Sequence, residues 1–161
     1  MEEEKEVILN ERINYALSMI KENSIYFAHP VNYYMGSSLN AHENKEDELI
    51  KIISKNFPEY AVHNPNQKHH QENYQIWKKE TGSGMKYYFD IILPRMSAGI
   101  GLTFEDNMLG AGVFGELEKI LELGKPIYEI NENGIIFPIK KMDTSRKLSI
   151  EETQGRIYGG K

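Results

Sequence analysis

The fold this sequence predicts is a single α/β domain, a parallel sheet with helices on both faces. Three observations carry that expectation. Short apolar, β-prone runs alternate along the chain with segments of helical period, as strand–helix–strand units require. Each strand-like run breaks into a loop rich in glycine, proline or asparagine, the kind of segment that builds sites beyond strand C-termini. And 161 residues with 40% hydrophobic content suffice for one continuous core.

The elements follow in order. Ile13, Ala16, Leu17 and Ile20 recur at helical spacing after Asn10, so residues 1–23 read as an N-terminal amphipathic helix. Ser24 to Ala28 is a short apolar strand feeding a turn-rich stretch from His29-Pro30 to Asn40. A helix is expected from about Lys45 to Asn56, with Leu49, Ile52 and Ile53 on one face and Pro58 blocking its continuation. Ala61 to His63 is a short strand, and the polar segment Asn64 to Gly84 reads as an excursion over one edge of the site. Met85, Tyr88, Phe89 and Ile92 then mark a helix carrying Asp90, which Pro94 ends. Ala98 to Phe104 is the next strand. Val113 to Leu123 is a helix stopped at Gly124, followed by strand Pro126 to Ile130. Asn131 to Gly134 is a turn signal before a last strand, Ile135 to Ile139. In the C-terminal tail, residues 140–161, Ser149 with Glu152 forms a capping box opening a terminal helix.

Composition narrows the function. A net charge of −5 and a pI near 5.6 speak against a nucleic-acid polymer as partner, because backbone binding needs clustered Lys and Arg. No cysteine is present, so any metal would need histidines and carboxylates, and none is expected. The acidic start and the lack of an apolar run near ~20 residues make a cytoplasmic protein without membrane contact the expectation.

Chemistry concentrates in Leu109-Gly-Ala-Gly-Val-Phe-Gly115-Glu116. Its three glycines allow close approach of backbone to a ligand, or φ > 0, ahead of a helix start. A glutamate in that first turn is expected to stay ionised, suited to act as nucleophile or charge stabiliser. Gly110, Gly112 and Gly115 also spell G-x-G-x-x-G, with Glu129 further on, as in a dinucleotide-binding fingerprint. Position argues against that reading, since too little chain follows Glu129 to build a second mononucleotide half.

Taken together, Ile25-Tyr26-Phe27-Ala28, Asp90 on a central helix, and Gly112-Val-Phe-Gly-Glu116 ahead of Gly124-Lys-Pro126 resemble the nucleoside 2-deoxyribosyltransferase superfamily, which includes nucleotide N-glycoside hydrolases. The resemblance runs from about Ser24 to Ile130. It implies a flavodoxin-like (Rossmann-like) fold, Glu116 as nucleophile, Asp90 as the acid/base carboxylate, Tyr26 as the aromatic beside the sugar, no cofactor, and a homo-oligomer acting on a small nucleoside or nucleotide. The chain departs from the pattern at Gly110, where many members carry an aspartate touching the sugar, leaving Asp106 as the nearest substitute; at about Ala98, where another aspartate is usual; and at His29-Pro30.

Around this centre, the loops after the strands supply the remaining candidates. His29 suits either a ligand contact or a tie holding its loop, and Gly36, Ser37 and Ser38 either a phosphate cradle or a plain turn. With His29 they would favour a 5′-monophosphate. Tyr33 and Tyr34, with Met35, suit either base stacking or a core or interface role. Asn64 opens the second loop, and Gly110, Gly112 and Asp106 belong to the third. His63, His69, His70 and Glu72 read as a solvated polar loop rather than a metal site, and Glu118 and Glu122 as solvent-facing charges. The expected reaction is cleavage or transfer at an N-glycosidic bond. A non-catalytic nucleotide sensor is the alternative, and convergence of Glu116 and Asp90 on one pocket is what distinguishes them.

Overall fold

A computed structural model describes residues 2–30 and 39–158, and in the second span the side chains of residues 45–157. The five strands are β1 (Ser24–Ala28), β2 (Ala61–His63), β3 (Ala98–Leu102), β4 (Ile127–Ile130) and β5 (Ile136–Ile139). They form one sheet in the order β2-β1-β3-β4-β5, parallel throughout except for β5. This is the flavodoxin-like α/β arrangement predicted, with one change at the edge. The Asn131–Gly134 turn is closed by Gly134 N–H donating to the Asn131 carbonyl (2.9 Å), with Gly134 at φ 83. It folds β5 back antiparallel on β4.

Every residue of β1 and β3 is buried, which requires cover on both sides of the sheet. On one side Ile25, Phe27, Ile100 and Leu102 pack with Leu49 and Ile53 of α2 (Leu39–Asn56). On the other, Tyr26 and Ala28 pack with Val113, Phe114 and Leu117 of α5 (Ala111–Glu122) and with the helices before β3. The glycines of β3 set the depth of this second layer. A Cβ on Gly99 would lie 2.6 Å from Ile120 Cδ1, and one on Gly101 2.6 Å from Leu117 Cδ1. Only glycine lets α5 sit this close to the sheet.

Helix boundaries differ from the sequence reading where polar residues hide the period. Helix α1 (Glu2–Ser18) ends five residues short of the expected Asn23, and α2 begins at Leu39, ahead of the expected Lys45. The expected excursion after Asn64 contains a fourteen-residue helix, α3 (Lys68–Thr81), ended by Gly82 at φ 85. Its buried face is made of His70, Asn73 and Trp77, so an apolar repeat could not reveal it. The segment carrying Asp90 starts as α4 (Met85–Tyr87), widens to a π-helical turn over Tyr88–Ile92 and tightens into a 3₁₀ turn over Leu93–Arg95. Last, α6 (Ile150–Tyr158) opens on the predicted capping box: Glu152 N–H donates to Ser149 Oγ and Ser149 N–H to Glu152 Oε1, both at 3.0 Å. None of the described helices is long and apolar enough to cross a membrane.

Candidate active site

The strand order reverses direction between β1 and β3, so the C-terminal ends of these two neighbours open a crevice between their diverging loops. A cavity of about 550 Å³ lies there. His29 and Pro30 enter it directly after β1, and Gly110, Gly112 and Val113 after β3. Tyr26 and Glu116 form its inner wall. The opposite walls come from Gln71, Tyr74 and Gln75 of α3, from Met85 and Tyr88, and from Thr153 and Ile157 of α6.

Glu116 reaches this cavity by a different route from the one its sequence suggested. Helix α5 starts at Ala111 with Gly110 as N-cap (φ −60), and none of the three loop glycines has positive φ. Glu116 therefore stands in the second turn, beyond the strongest reach of the helix terminus. Its side chain is buried and accepts a hydrogen bond from the Tyr26 hydroxyl. Burial raises the carboxyl to about 7, against the lowering effect of the Tyr26 hydrogen bond. The expected permanently ionised glutamate is thus replaced by one poised between its two forms near neutral pH. Burial, and then the neighbouring Glu116 charge, pushes the Tyr26 hydroxyl well above its usual range, so Tyr26 remains a donor.

His29 is a tie. Its Nδ1 faces the Phe27 carbonyl at 2.9 Å and its Nε2 faces Glu46 Oε2 at 2.7 Å. Both ring nitrogens are engaged within the protein, so the ring offers the cavity a face and no donor, and its expected use as a phosphate contact loses its basis. Glu46 is in turn held by Asn64 Nδ2 and Asn66 Nδ2, each at 3.0 Å. Burial would raise the Glu46 carboxyl, but hydrogen bonds from His29 and the two asparagines, with the charge of His29, bring it down to about 2. This clasp joins the loops after β1 and β2 to α2. Asn64, expected at the ligand, serves the clasp.

Other expected residues are placed as follows. Asp90 is exposed and lines a neighbouring cavity of about 810 Å³ with Glu118, Lys119 and Lys147. The two cavities share Tyr74, Met85 and Gly112 as a boundary, and the structure does not bring Asp90 together with Glu116. Asp106 faces Arg156 of α6 with both oxygens, at 2.8 and 2.7 Å. Gly110 and Gly112 do line the cavity, and a Cβ on Gly110 would lie 3.1 Å from Thr153 Cγ2. Glu129, the acid of the dinucleotide fingerprint, is held by both terminal Arg146 nitrogens at 2.8 and 2.9 Å. Gly36, Ser37 and Ser38, with Tyr33, Tyr34 and Met35, lie outside the described residues.

The histidines of the supposed polar loop are a correction. His63 and His70 are buried, with Nε2 to Nε2 at 2.9 Å, and His70 Nδ1 meets the Tyr87 hydroxyl at 2.5 Å. Burial, then neighbouring histidines, lowers His63 to about 4 and His70 to about 3. The neutral rings pin the end of β2 to α3 and α4. Among the described residues no group of three or more His, Asp or Glu is arranged to hold a metal.

Sequence reasoning missed Glu46, which no local motif links to His29, seventeen residues earlier. It also missed the α3 wall. Gln71, Tyr74 and Gln75 are spaced i, i+3, i+4, a signal visible once that segment is recognised as a helix. Compared with protein-family models, with curated proteins and with solved structures, the chain matches none.

Proposed function

We propose that this chain breaks or transfers the N-glycosidic bond of a (deoxy)nucleoside or nucleoside 5′-monophosphate, with Glu116 as the nucleophile. The observation that carries the reading is Glu116 itself, a buried carboxyl at the wall of the switch-point cavity, hydrogen-bonded to Tyr26 and raised to about 7. Perturbed carboxyls in clefts concentrate at functional sites. In the reaction the ionised Glu116 attacks C1′ as the C1′–N bond breaks. The base leaves with the bonding electrons and takes up a proton from solvent water, and a glycosyl ester on Glu116 remains. Water attacking that ester makes the protein a hydrolase; a second base makes it a transferase. Tyr26 holds one carboxylate oxygen and leaves the other for attack. The reading includes a cytoplasmic homo-oligomer without cofactor.

A second reading, a nucleotide sensor without turnover, is favoured by one observation: Asp90 faces a different cavity, so Glu116 lacks the carboxylate partner expected to handle the proton. One experiment separates the two. Nucleosides and their 5′-monophosphates are screened for released base with the parent and with Glu116→Gln, and binding is followed by calorimetry. Base release that Glu116→Gln abolishes supports the enzyme. Binding without base release by the parent would overturn it in favour of the sensor.

A further inference from the structure

The groups lining the cavity differ in what they have left to offer a ligand. Tyr26 donates to Glu116, and both nitrogens of His29 are engaged. On the α6 side, the Thr153 hydroxyl accepts from Ala111 N–H at 2.9 Å and donates to the Ser149 carbonyl at 2.7 Å, while Ile157 is apolar. Gly110, Gly112 and Val113 bring no polar side chain. Uncommitted side-chain hydrogen-bonding capacity therefore lies across from Glu116, on α3 and beside it.

There, Gln71, Tyr74 and Gln75 share one helical face lining the cavity. Gln71 uses its amide N–H₂ on Asn66 Oδ1 at 2.8 Å, which leaves its carbonyl oxygen as an acceptor. The Gln75 side chain makes no hydrogen bond among the described residues and offers both donor and acceptor. Tyr74 stands between them with its ring centroid 6.3 Å from that of Tyr88, tilted by 42°, so the same wall presents aromatic surface. Adjacent acceptor and donor amides beside aromatic rings suit a flat heterocycle whose edge carries both an N–H and a ring or carbonyl acceptor, and suit a sugar poorly.

Building on the glycosidic reading of Glu116, we propose that Gln71 and Gln75 are the specificity residues for the leaving base, reading its hydrogen-bonding edge while Tyr74 and Tyr88 pack against its face. The sugar then lies toward Tyr26 and Glu116, with C1′ between the two groups of residues. Both glutamines are exposed at the mouth of the cavity, so replacing them leaves the core untouched.

The test measures kcat/KM for deoxyadenosine, deoxyguanosine, deoxycytidine and thymidine, and for their 5′-monophosphates, in the parent, in Gln75→Leu and in Gln71→Glu. Gln75→Leu removes a side chain that makes no hydrogen bond among the described residues, so no described intramolecular bond is lost with it. The expected result is a change of about tenfold in the ratio between the best and worst base, the size of one lost hydrogen bond, with the pH dependence of kcat/KM unchanged in the uncharged variant Gln75→Leu. If both variants release base with the parent's ranking preserved within twofold, the base-reading role is overturned while the Glu116 chemistry stands. If the parent releases no base from any of the eight compounds or from their ribose counterparts, the glycosidic reading falls and this inference with it.

Discussion

Glu116→Gln should make the protein more stable at alkaline pH while abolishing its chemistry. The carboxyl is moved by burial from 4.5 to about 7 in the folded protein. Each unit is worth about 1.4 kcal/mol, so ionising Glu116 costs the fold about 3 kcal/mol. The sign follows from which state holds the proton. With the folded value raised, the stabilising contribution is complete below 4.5 and is lost as pH rises through about 7. Glutamine occupies nearly the same volume, accepts from the Tyr26 hydroxyl as the acid does, and never ionises. At pH 8.5 the variant should therefore exceed the parent by about 3 kcal/mol, roughly 6 to 12 °C in Tm for a chain of this size; at pH 4.5 the two should coincide. Thermal unfolding of both proteins across that range reads the difference directly. A gap that does not change with pH, or a variant less stable than the parent at pH 8.5, would refute the argument that Glu116 is held against its own ionisation.

Removing the Tyr26 hydroxyl with Tyr26→Phe deletes the hydrogen bond that lowers Glu116. The carboxyl should then titrate about one unit higher, the equivalent of a hydrogen bond to a charged group, as followed by NMR of ¹³C-labelled glutamate. Where base release occurs, kcat/KM should rise with pH through about 7 in the parent, because the nucleophile is the ionised form. Acid should destabilise the buried histidine pair: His63 and His70 titrate at about 4 and 3 in the fold against 6.5 outside it. Stability from the neutral rings is full above 6.5 and falls as pH drops, by about 2 kcal/mol from each ring between pH 7 and pH 5. Urea unfolding in the Glu116→Gln background isolates this effect, and a flat profile there contradicts it. Asp90→Asn, at an exposed position outside the Glu116 cavity, should alter base release by less than twofold, and a larger loss would return a proton role to that residue.

The layered fold was legible because its information is local. Ile25 to Ala28 and Ala98 to Leu102 are short apolar runs bounded by turns, Gly124 and Gly134 stand at positive φ where the chain must reverse, and Ser149 with Glu152 forms its box within four residues. Helix α3 escaped because two of its three inward residues, His70 and Asn73, are polar and are buried through partners on other elements: Arg12 for Asn73, and His63 and Tyr87 for His70. The direction of β5 was left open by the sequence, since a four-residue turn signal does not say whether the next strand pairs back or passes on.

Sequence located Glu116 and misjudged its environment, and the reason is geometric. Helix start and strand end were read as separate features, yet the glycines of β3 draw α5 onto the sheet until Leu117 and Ile120 fill the space where Cβ atoms of residues 99 and 101 would be. That approach carries Glu116, one residue before Leu117, to β1, where Tyr26 in the middle of the strand is its hydrogen-bond partner. A side chain larger than hydrogen at Gly101 would press on Leu117 and Val113, shifting the helix outward and admitting water to the carboxyl. Gly101→Ala should therefore lower the Glu116 titration toward the ordinary carboxylate range as well as weaken the fold, whereas a substitution at Gly112, whose Cβ direction meets nothing within 4 Å, should do neither. If NMR titration finds Glu116 unmoved in Gly101→Ala, the close seating of α5 is not what keeps this carboxyl dry.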